Sequence, residues 1–321
     1  MKSKIKELID KSNSIVLLAH EDPDGDAIGS LIAFYRILKN MNKDVMVIAD
    51  KIPDRFNCLD DIGVITRDTD KGFDLGIVLD CASLERIGEV SNITDRTKHL
   101  IVIDHHISNT LYGSVNYIDD KATSCTQILY YLFKDWNVEI DKECAKALMT
   151  GVITDSGGFK NNNVNKFTYL MAADMADIGV DIYNLQRKVL TMTTLPQMIL
   201  KKIALERLEL LRDGKIAFTY ITKEDMTNAK ALLGDHEGLV DLGRDIVGVE
   251  VSIFMREDDE YKISLRSNGK IDVREIAYVF GGGGHMMAAG LKINKSFEEV
   301  KYDIINETIK VVDRYEWNTD N

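Results

Sequence analysis

The sequence predicts an α/β protein with an N-terminal parallel-sheet domain carrying helices on both faces, a helical connector, and a smaller C-terminal α/β domain with a mixed sheet. Three observations lead to this. Apolar runs of strand length recur at SIVLLA (14–19), DVMVIA (44–49), LGIVLD (75–80) and LIVID (100–104), and unbroken Val, Ile and Leu runs suit strands covered on both faces. Between the first two runs, DAIGSLIAFYRILKN sets Ile28, Leu31, Ile32, Tyr35 and Leu38 at helical spacing, so the strands it joins are expected to be parallel. At 321 residues the chain exceeds the size that one core usually serves, and two domains are expected.

Further along, SCTQILYYLFKDW and KECAKALMTGVIT read as helices, and residues 166–211 are helical in pattern almost throughout, including LPQMILKKIALERLELL. Strand character returns at GKIAFTYIT after Asp213-Gly214. This predicts a first domain over 1–190, a helical connector over 191–212 and a second domain over 213–321. The second domain should contain a hairpin, VGVEVSIFMRE then EYKISLRS, turned by Asp258 and Asp259, and should end in FGGGGHMMAAG followed by a strand and a helix.

Hydrophobic residues make up 45% and charged residues 29%, with 3 prolines and no low-complexity tract, the composition of a globular chain. No run approaches the roughly 18–20 apolar residues a membrane helix needs, and MKSKIKELIDK lacks the apolar core of a signal peptide. A cytoplasmic protein without membrane partners is expected. Cys58, Cys81, Cys125 and Cys144 have no CxxC spacing, so they read as reduced thiols rather than a disulfide frame or zinc site. The net charge of −12 opposes binding of long nucleic acid, duplex included. Short anionic substrates remain open to it, because metal ions and a few local donors can hold a handful of phosphates.

AHEDPDGDAIGS places His20, Asp24 and Asp26 directly after the first apolar run. Carboxylates this crowded repel one another and raise each other's pKa, so a bound cation is expected. Four segments carry such groups at the end of an apolar run: His20 with Asp24 and Asp26, then Asp80, then Asp104-His105-His106, then Asp155 in GVITDSGGF. Any one alone would suit a turn former or helix N-cap equally well. Together they point to one cluster, because ligands in open α/β sheets collect beyond the carboxyl ends of the strands. Imidazole with carboxylate and no thiolate suits Mn²⁺, with Mg²⁺, Co²⁺ or Fe²⁺ as alternatives. Two divalent ions would balance the charges of Asp24, Asp26, Asp80 and Asp155.

HEDPDGDAIGS, LDCAS, DHH at 104–106 and TDSGGF together resemble the four motifs of the DHH phosphoesterase superfamily, and SLRSN with GGGGHMMAAG resembles its DHH-associated C-terminal domain. The motifs run from residue 20 to residue 290, and the similarity is greatest to the stand-alone nano-RNase and pAp phosphatase branch. The resemblance implies that His20 and Asp24 hold one metal, that Asp26, His105 and Asp155 hold the other, and that Asp80 bridges both. Asp22 falls at a position the family does not use. His106 would face the substrate phosphate, and Asp104 would orient the histidines without touching the ions. Ser156 stands where the family commonly has Thr, which preserves a hydroxyl.

Glycines 281 to 284 could let a backbone approach an anion and present N–H groups as a nest. With the resemblance, Gly282, Gly283, Gly284 and His285, together with Arg266 and Ser267, become the expected phosphate-binding groups. A metal cluster in one domain and an anion-binding loop in the other imply a substrate with at least two phosphate features, bridging an interdomain cleft. Hydrolysis of short oligoribonucleotides to mononucleotides by a metal-activated hydroxide is therefore expected, with removal of the 3′-phosphate of pAp as a companion activity. Hydrolysis of cyclic di-AMP or linear pApA is the alternative. An inorganic pyrophosphatase ranks third, since that family shares the four motifs but binds its substrate through lysine and arginine motifs rather than GGGGH. A sensor without turnover should have lost a ligand, and every expected ligand type is present. A homodimer stays open.

Overall fold

The computed structural model describes residues 1–50 and 52–320. The chain divides into two units, Met1–Met192 and Thr193–Asn321. The first holds strands β1 (Ser14–Leu18), β2 (Asp44–Ile48), β3 (Ile65–Thr66), β4 (Phe73–Leu79), β5 (Thr97–Asp104) and β6 (Val115–Ile118). Its helices are α1 (Lys2–Lys11), α2 (Gly25–Asn40), α3 (Cys125–Asp135), α4 (Lys142–Asp155), α5 (Lys166–Ile178) and α6 (Ile182–Gln186).

The strand order is β3-β2-β1-β4-β5-β6, and every pairing is parallel. From β1 the chain runs outward through β2 to β3, then returns to pair β4 against the other edge of β1. Connections therefore diverge at the carboxyl ends of β1 and β4, which opens a crevice there. The apolar runs alternate between two cores. Ile15, Leu17, Leu75, Ile77, Ile101 and Ile103 pack with α1 to α5, whereas Val16, Leu18, Val78 and Val102 face the opposite side. That second face is covered by a run of 3₁₀ turns over Leu84–Arg96 rather than by long helices, interrupted at Gly88, which has φ 74°. Fully burying each such side chain contributes about 1.5–3 kcal/mol.

The second unit holds β7 (Glu209–Leu211), β8 (Ile216–Ile221), β9 (Val251–Arg256), β10 (Tyr261–Ser267), β11 (Gly283–His285) and β12 (Ala288–Ile293), with α7 (Leu195–Glu206), α8 (Lys223–Ala229), α9 (Asp241–Arg244), α10 (Val273–Val279) and α11 (Phe297–Asp320). Its sheet, ordered β11-β12-β10-β9-β8-β7, is mixed, because β8 and β9 run parallel while the other pairs are antiparallel. The α10 and α11 residues Ile276, Val300 and Ile304 pack on Val251, Ile253 and Leu265. The other face carries Ile221 and Phe254 against Leu200, Ala204 and Val240. No helix among the described residues is long and apolar enough to cross a membrane.

Candidate metal centre

The divergent ends of β1 and β4 carry the first ligands. Asp24 is the N-cap of α2, and its Oδ1 accepts the N–H groups of Asp26 and Ala27 at 2.9 and 3.1 Å. The helix-cap role that the sequence allowed is thus real, and it engages only one carboxylate oxygen. Asp26, in the first turn of α2, is fully buried. Its two oxygens accept the N–H groups of Cys125 and Thr126 at 2.5 and 2.9 Å, the amino end of α3, where the helix dipole favours an anion. Gly151 in α4 makes room for it, since a Cβ there would stand 2.3 Å from Asp26 Oδ1.

Asp80 follows β4 in a left-handed conformation, φ 54°, uncommon for a residue with a side chain. Its N–H donates to Ile103 O at 3.0 Å, it is 2% exposed, and its Oδ1 is buried with no hydrogen-bond partner. Asp104 ends β5 fully buried. Asp155 ends α4, where the negative end of the dipole favours a cation.

All three histidines are held by Nδ1 against an oxygen. His20 Nδ1 meets Glu21 O at 2.7 Å, His105 Nδ1 meets Ala122 O at 3.4 Å, and His106 Nδ1 meets Asp104 Oδ1 at 2.7 Å. Such partners fix the tautomer and leave Nε2 available as a ligand or donor. His20 Nε2 lies 3.8 Å from Asp80 Oδ2, and His105 Nε2 lies 3.5 Å from Asp80 Oδ1 and 3.2 Å from Asp155 Oδ2. Ligand atoms of His20, Asp24 and Asp80 lie within 4.8 Å of one another, as do those of Asp26, His105 and Asp155. A third such group joins Asp80, Asp104, His105 and His106. Asp22, at φ 51°, belongs to none of the three.

Burial, then the neighbouring carboxylates, pushes Asp26 and Asp80 upward and Asp155 to about 7. His105 is drawn the other way. Burial alone would lower it, but Asp155 and Asp80 raise it to about 12. Burial also works to raise Asp104, yet the hydrogen bonds from His106 and Asn109 hold it below its usual range. The protein without metal therefore leaves its acids short of positive charge. The unpartnered Asp80 oxygen and a donor set of imidazole and carboxylate fit divalent ions.

In the second unit, Arg266 and His285 both pair with Ala288, from opposite sides. Cross-strand partners share a face, so the two side chains flank one row of the sheet. Arg266 Nη1 donates to Leu265 O at 3.1 Å, its Nε lies 3.9 Å from Asp241, and His285 is exposed. Some of the expected phosphate-binding groups also have internal partners. Ser267, one residue on, is buried with its Oγ accepting the Gly269 N–H at 3.0 Å, so it braces a turn and does not stand beside Arg266. Nor do all the glycines form an open nest, because the N–H groups of Gly281 and Gly282 donate to Tyr278 O and Ala277 O and close α10. Gly282 and Gly284 answer to crowding, since a Cβ would stand 2.4 Å from Gly290 O and from Ala288 O respectively. Gly283 meets only the Tyr278 ring, at 3.7 Å.

The sequence reading missed the residues that hold the ligands. Asn109 Nδ2 donates to Asp104 Oδ2 at 2.7 Å. Asn161 and Asn163 donate to the Asp155 carbonyl at 2.9 and 3.1 Å, and Asn163 also reaches Thr123 O beside α3. The asparagine-rich NNNVN at 161–165 was the visible signal.

Residues 14–152 match the DHH family N-terminal domain, and residues 213–314 match the DHHA1 domain. The chain thus carries a DHH N-terminal domain followed by a DHHA1 domain. It is 29% identical to the bifunctional oligoribonuclease and PAP phosphatase NrnA of Thermus thermophilus, over 92% of this chain and 89% of that protein. It is 26% identical to the cyclic-di-AMP phosphodiesterase PdeA of Listeria monocytogenes, over 90% of this chain but 46% of that one. The crystal structure of an exopolyphosphatase-related protein from Bacteroides fragilis superposes with a TM-score of 0.91 at 27% identity, covering 100% of this chain and 97% of that chain.

Proposed function

We propose that the protein is a Mn²⁺-dependent phosphoesterase that hydrolyses short oligoribonucleotides to mononucleotides and pAp to AMP. The observation that carries the reading is the division of Asp80, whose Oδ2 faces His20 while its Oδ1 faces His105. One carboxylate can thus serve two sites. His20, Asp24 and Asp80 would hold one ion, and Asp26, His105, Asp155 and the shared Asp80 the other. Bound there, a pair of divalent ions lowers the pKa of water and neutralises charge on the phosphoryl group.

The chain's own groups do the rest. The N–H groups of Cys125 and Thr126 on Asp26, and the Nδ1 contacts of His20 and His105, hold the ligands in place before substrate arrives. Asp104 accepts from His106 Nδ1 and raises that imidazole's pKa, which favours a proton on Nε2 that a phosphoryl oxygen or the leaving group could take. Arg266 and His285 supply a guanidinium and an imidazole for a substrate phosphate other than the one cleaved. The matched length favours the oligoribonuclease reading over the cyclic-dinucleotide one, because the chain spans most of the NrnA relative and under half of PdeA.

The test is kcat/KM with Mn²⁺ across 5-mer RNA, pAp, pApA, cyclic di-AMP and pyrophosphate. RNA and pAp should lead. A clear preference for cyclic di-AMP or pyrophosphate would replace this reading.

A further inference from the structure

The loops that carry Asp80 and the Asp104–His106 segment are joined by one carboxamide. Asn109 Nδ2 donates both to Asp104 Oδ2 at 2.7 Å and to Cys81 O at 3.1 Å, and its Oδ1 accepts the Leu111 N–H at 2.8 Å. Its own N–H donates to His106 O at 3.1 Å. These partners fix the orientation of the amide. Exchanging its oxygen and nitrogen would set an acceptor against two acceptors and a donor against a donor. The same seam carries two more bonds, from Thr110 N–H to Ala82 O at 2.9 Å and from Tyr112 Oη to Cys81 O at 3.0 Å.

Asp80, the shared ligand, adjoins this seam and is held at φ 54°, a conformation that persists only where its surroundings impose it. Its N–H bonds Ile103 on one side, and the next carbonyl, Cys81 O, is gripped by Asn109 and Tyr112 on the other. The other bond of Asn109 ends on Asp104, whose Oδ1 aligns His106.

We propose that Asn109 is a positioning residue, locking the shared carboxylate of Asp80 to the Asp104–His106 pair so that the metal edge and the outward imidazole keep one geometry. The inference rests on the metal centre proposed above. It does not depend on which nucleotide is cleaved. The Asn109 carboxamide is engaged by protein groups at both ends and acts through the carbonyl at 81 and the carboxylate at 104.

The test uses the full chain, with Mn²⁺ alone as the binding probe, read by electron paramagnetic resonance of the free ion, and bis-p-nitrophenyl phosphate as a generic phosphodiester. In Asn109→Ala, Mn²⁺ affinity and kcat should each fall about 10- to 100-fold, with KM within about threefold of wild type. Tyr112→Phe, which removes the other donor to Cys81 O but spares Asp104, should keep kcat within about fivefold. Asn109→Asp retains the acceptor for Leu111 N–H and the local turn, so it guards against a folding failure of the alanine variant. It sets a carboxylate against Asp104 and Cys81 O, and its kcat should fall at least as far. Wild-type kcat in Asn109→Asp, or a Tyr112→Phe defect equal to that of Asn109→Ala, would overturn the inference. A wild-type protein that binds Mn²⁺ but cleaves no phosphoester would remove the proposed function, leaving the Mn²⁺ affinity of Asn109→Ala to judge this one.

Discussion

Asp80 Oδ1 and His105 Nε2 lie 3.5 Å apart, and that oxygen is buried without a hydrogen-bond partner. Leaving a buried polar group without a partner usually has a price of about 1–3 kcal/mol, so this oxygen beside His105, with its sister Oδ2 facing His20, calls for a bound cation. Asp80→Asn should lower kcat by about 10³-fold or more, the several kcal/mol that metal activation supplies. It should also stabilise the metal-free protein. A buried acid whose folded pKa is raised penalises the fold at every pH above its unfolded value of about 3.9, and the amide has no such penalty. Thermal melts in chelator should place Asp80→Asn above wild type. With Mn²⁺ at about 100 times Kd, wild type should gain about 2.7 kcal/mol and the variant much less.

Asp24 has two roles that substitution can separate. Asn caps a helix nearly as well as Asp, whereas Ala forfeits about 0.5–2 kcal/mol. Asp24→Asn should keep the thermal midpoint of the metal-free protein and lose Mn²⁺ affinity, while Asp24→Ala should lose both. Asp22→Ala, outside every ligand group, should leave kcat within about threefold. An Asp22 loss matching that of Asp24 would mean that the opening motif is misassigned.

His106 is held by Asp104 with Nε2 left outward. His106→Gln should reduce kcat by about 10²- to 10⁴-fold, the range for a positioned proton donor, and leave Mn²⁺ binding nearly intact in isothermal titration. Loss of metal in this variant would make His106 a ligand instead.

In the second unit, Arg266→Ala should weaken kcat/KM for nucleotide substrates by about 1.5–3 kcal/mol with less effect on bis-p-nitrophenyl phosphate and none on metal content. The glycines offer an internal control. Gly282→Ala should destabilise the protein, because its Cβ would meet the Gly290 backbone at 2.4 Å. Gly283→Ala should fold normally, and any loss of kcat/KM it shows reports on substrate approach.

The parallel sheet was legible because Val16, Leu18, Val78 and Val102 on one face and Ile15, Leu17, Ile77 and Ile101 on the other turn each strand into an unbroken apolar run. β3 and β6 were not, being two and four residues long and too short for any period to register. The ligand residues were legible by chemical type at the ends of those runs. What holds them was hidden, because Glu21 O, Ala122 O and Cys81 O are backbone groups with no residue signature, and Asn109 reaches Asp104 only after the chain turns. Ser267 and Gly282 show the converse. Their motif drew attention, but side-chain alternation along β10 and the close approach of β11 to β12 give them structural work.

Asp80 is proposed to serve two ions at once. Crystals soaked in Mn²⁺ and measured at the manganese absorption edge would show this directly. Two anomalous peaks about 3.5–4 Å apart, one beside His20 and Asp24 and one beside Asp26, His105 and Asp155, with Asp80 touching both, are expected. A single peak at saturating Mn²⁺, or peaks with Asp80 touching neither, would contradict it.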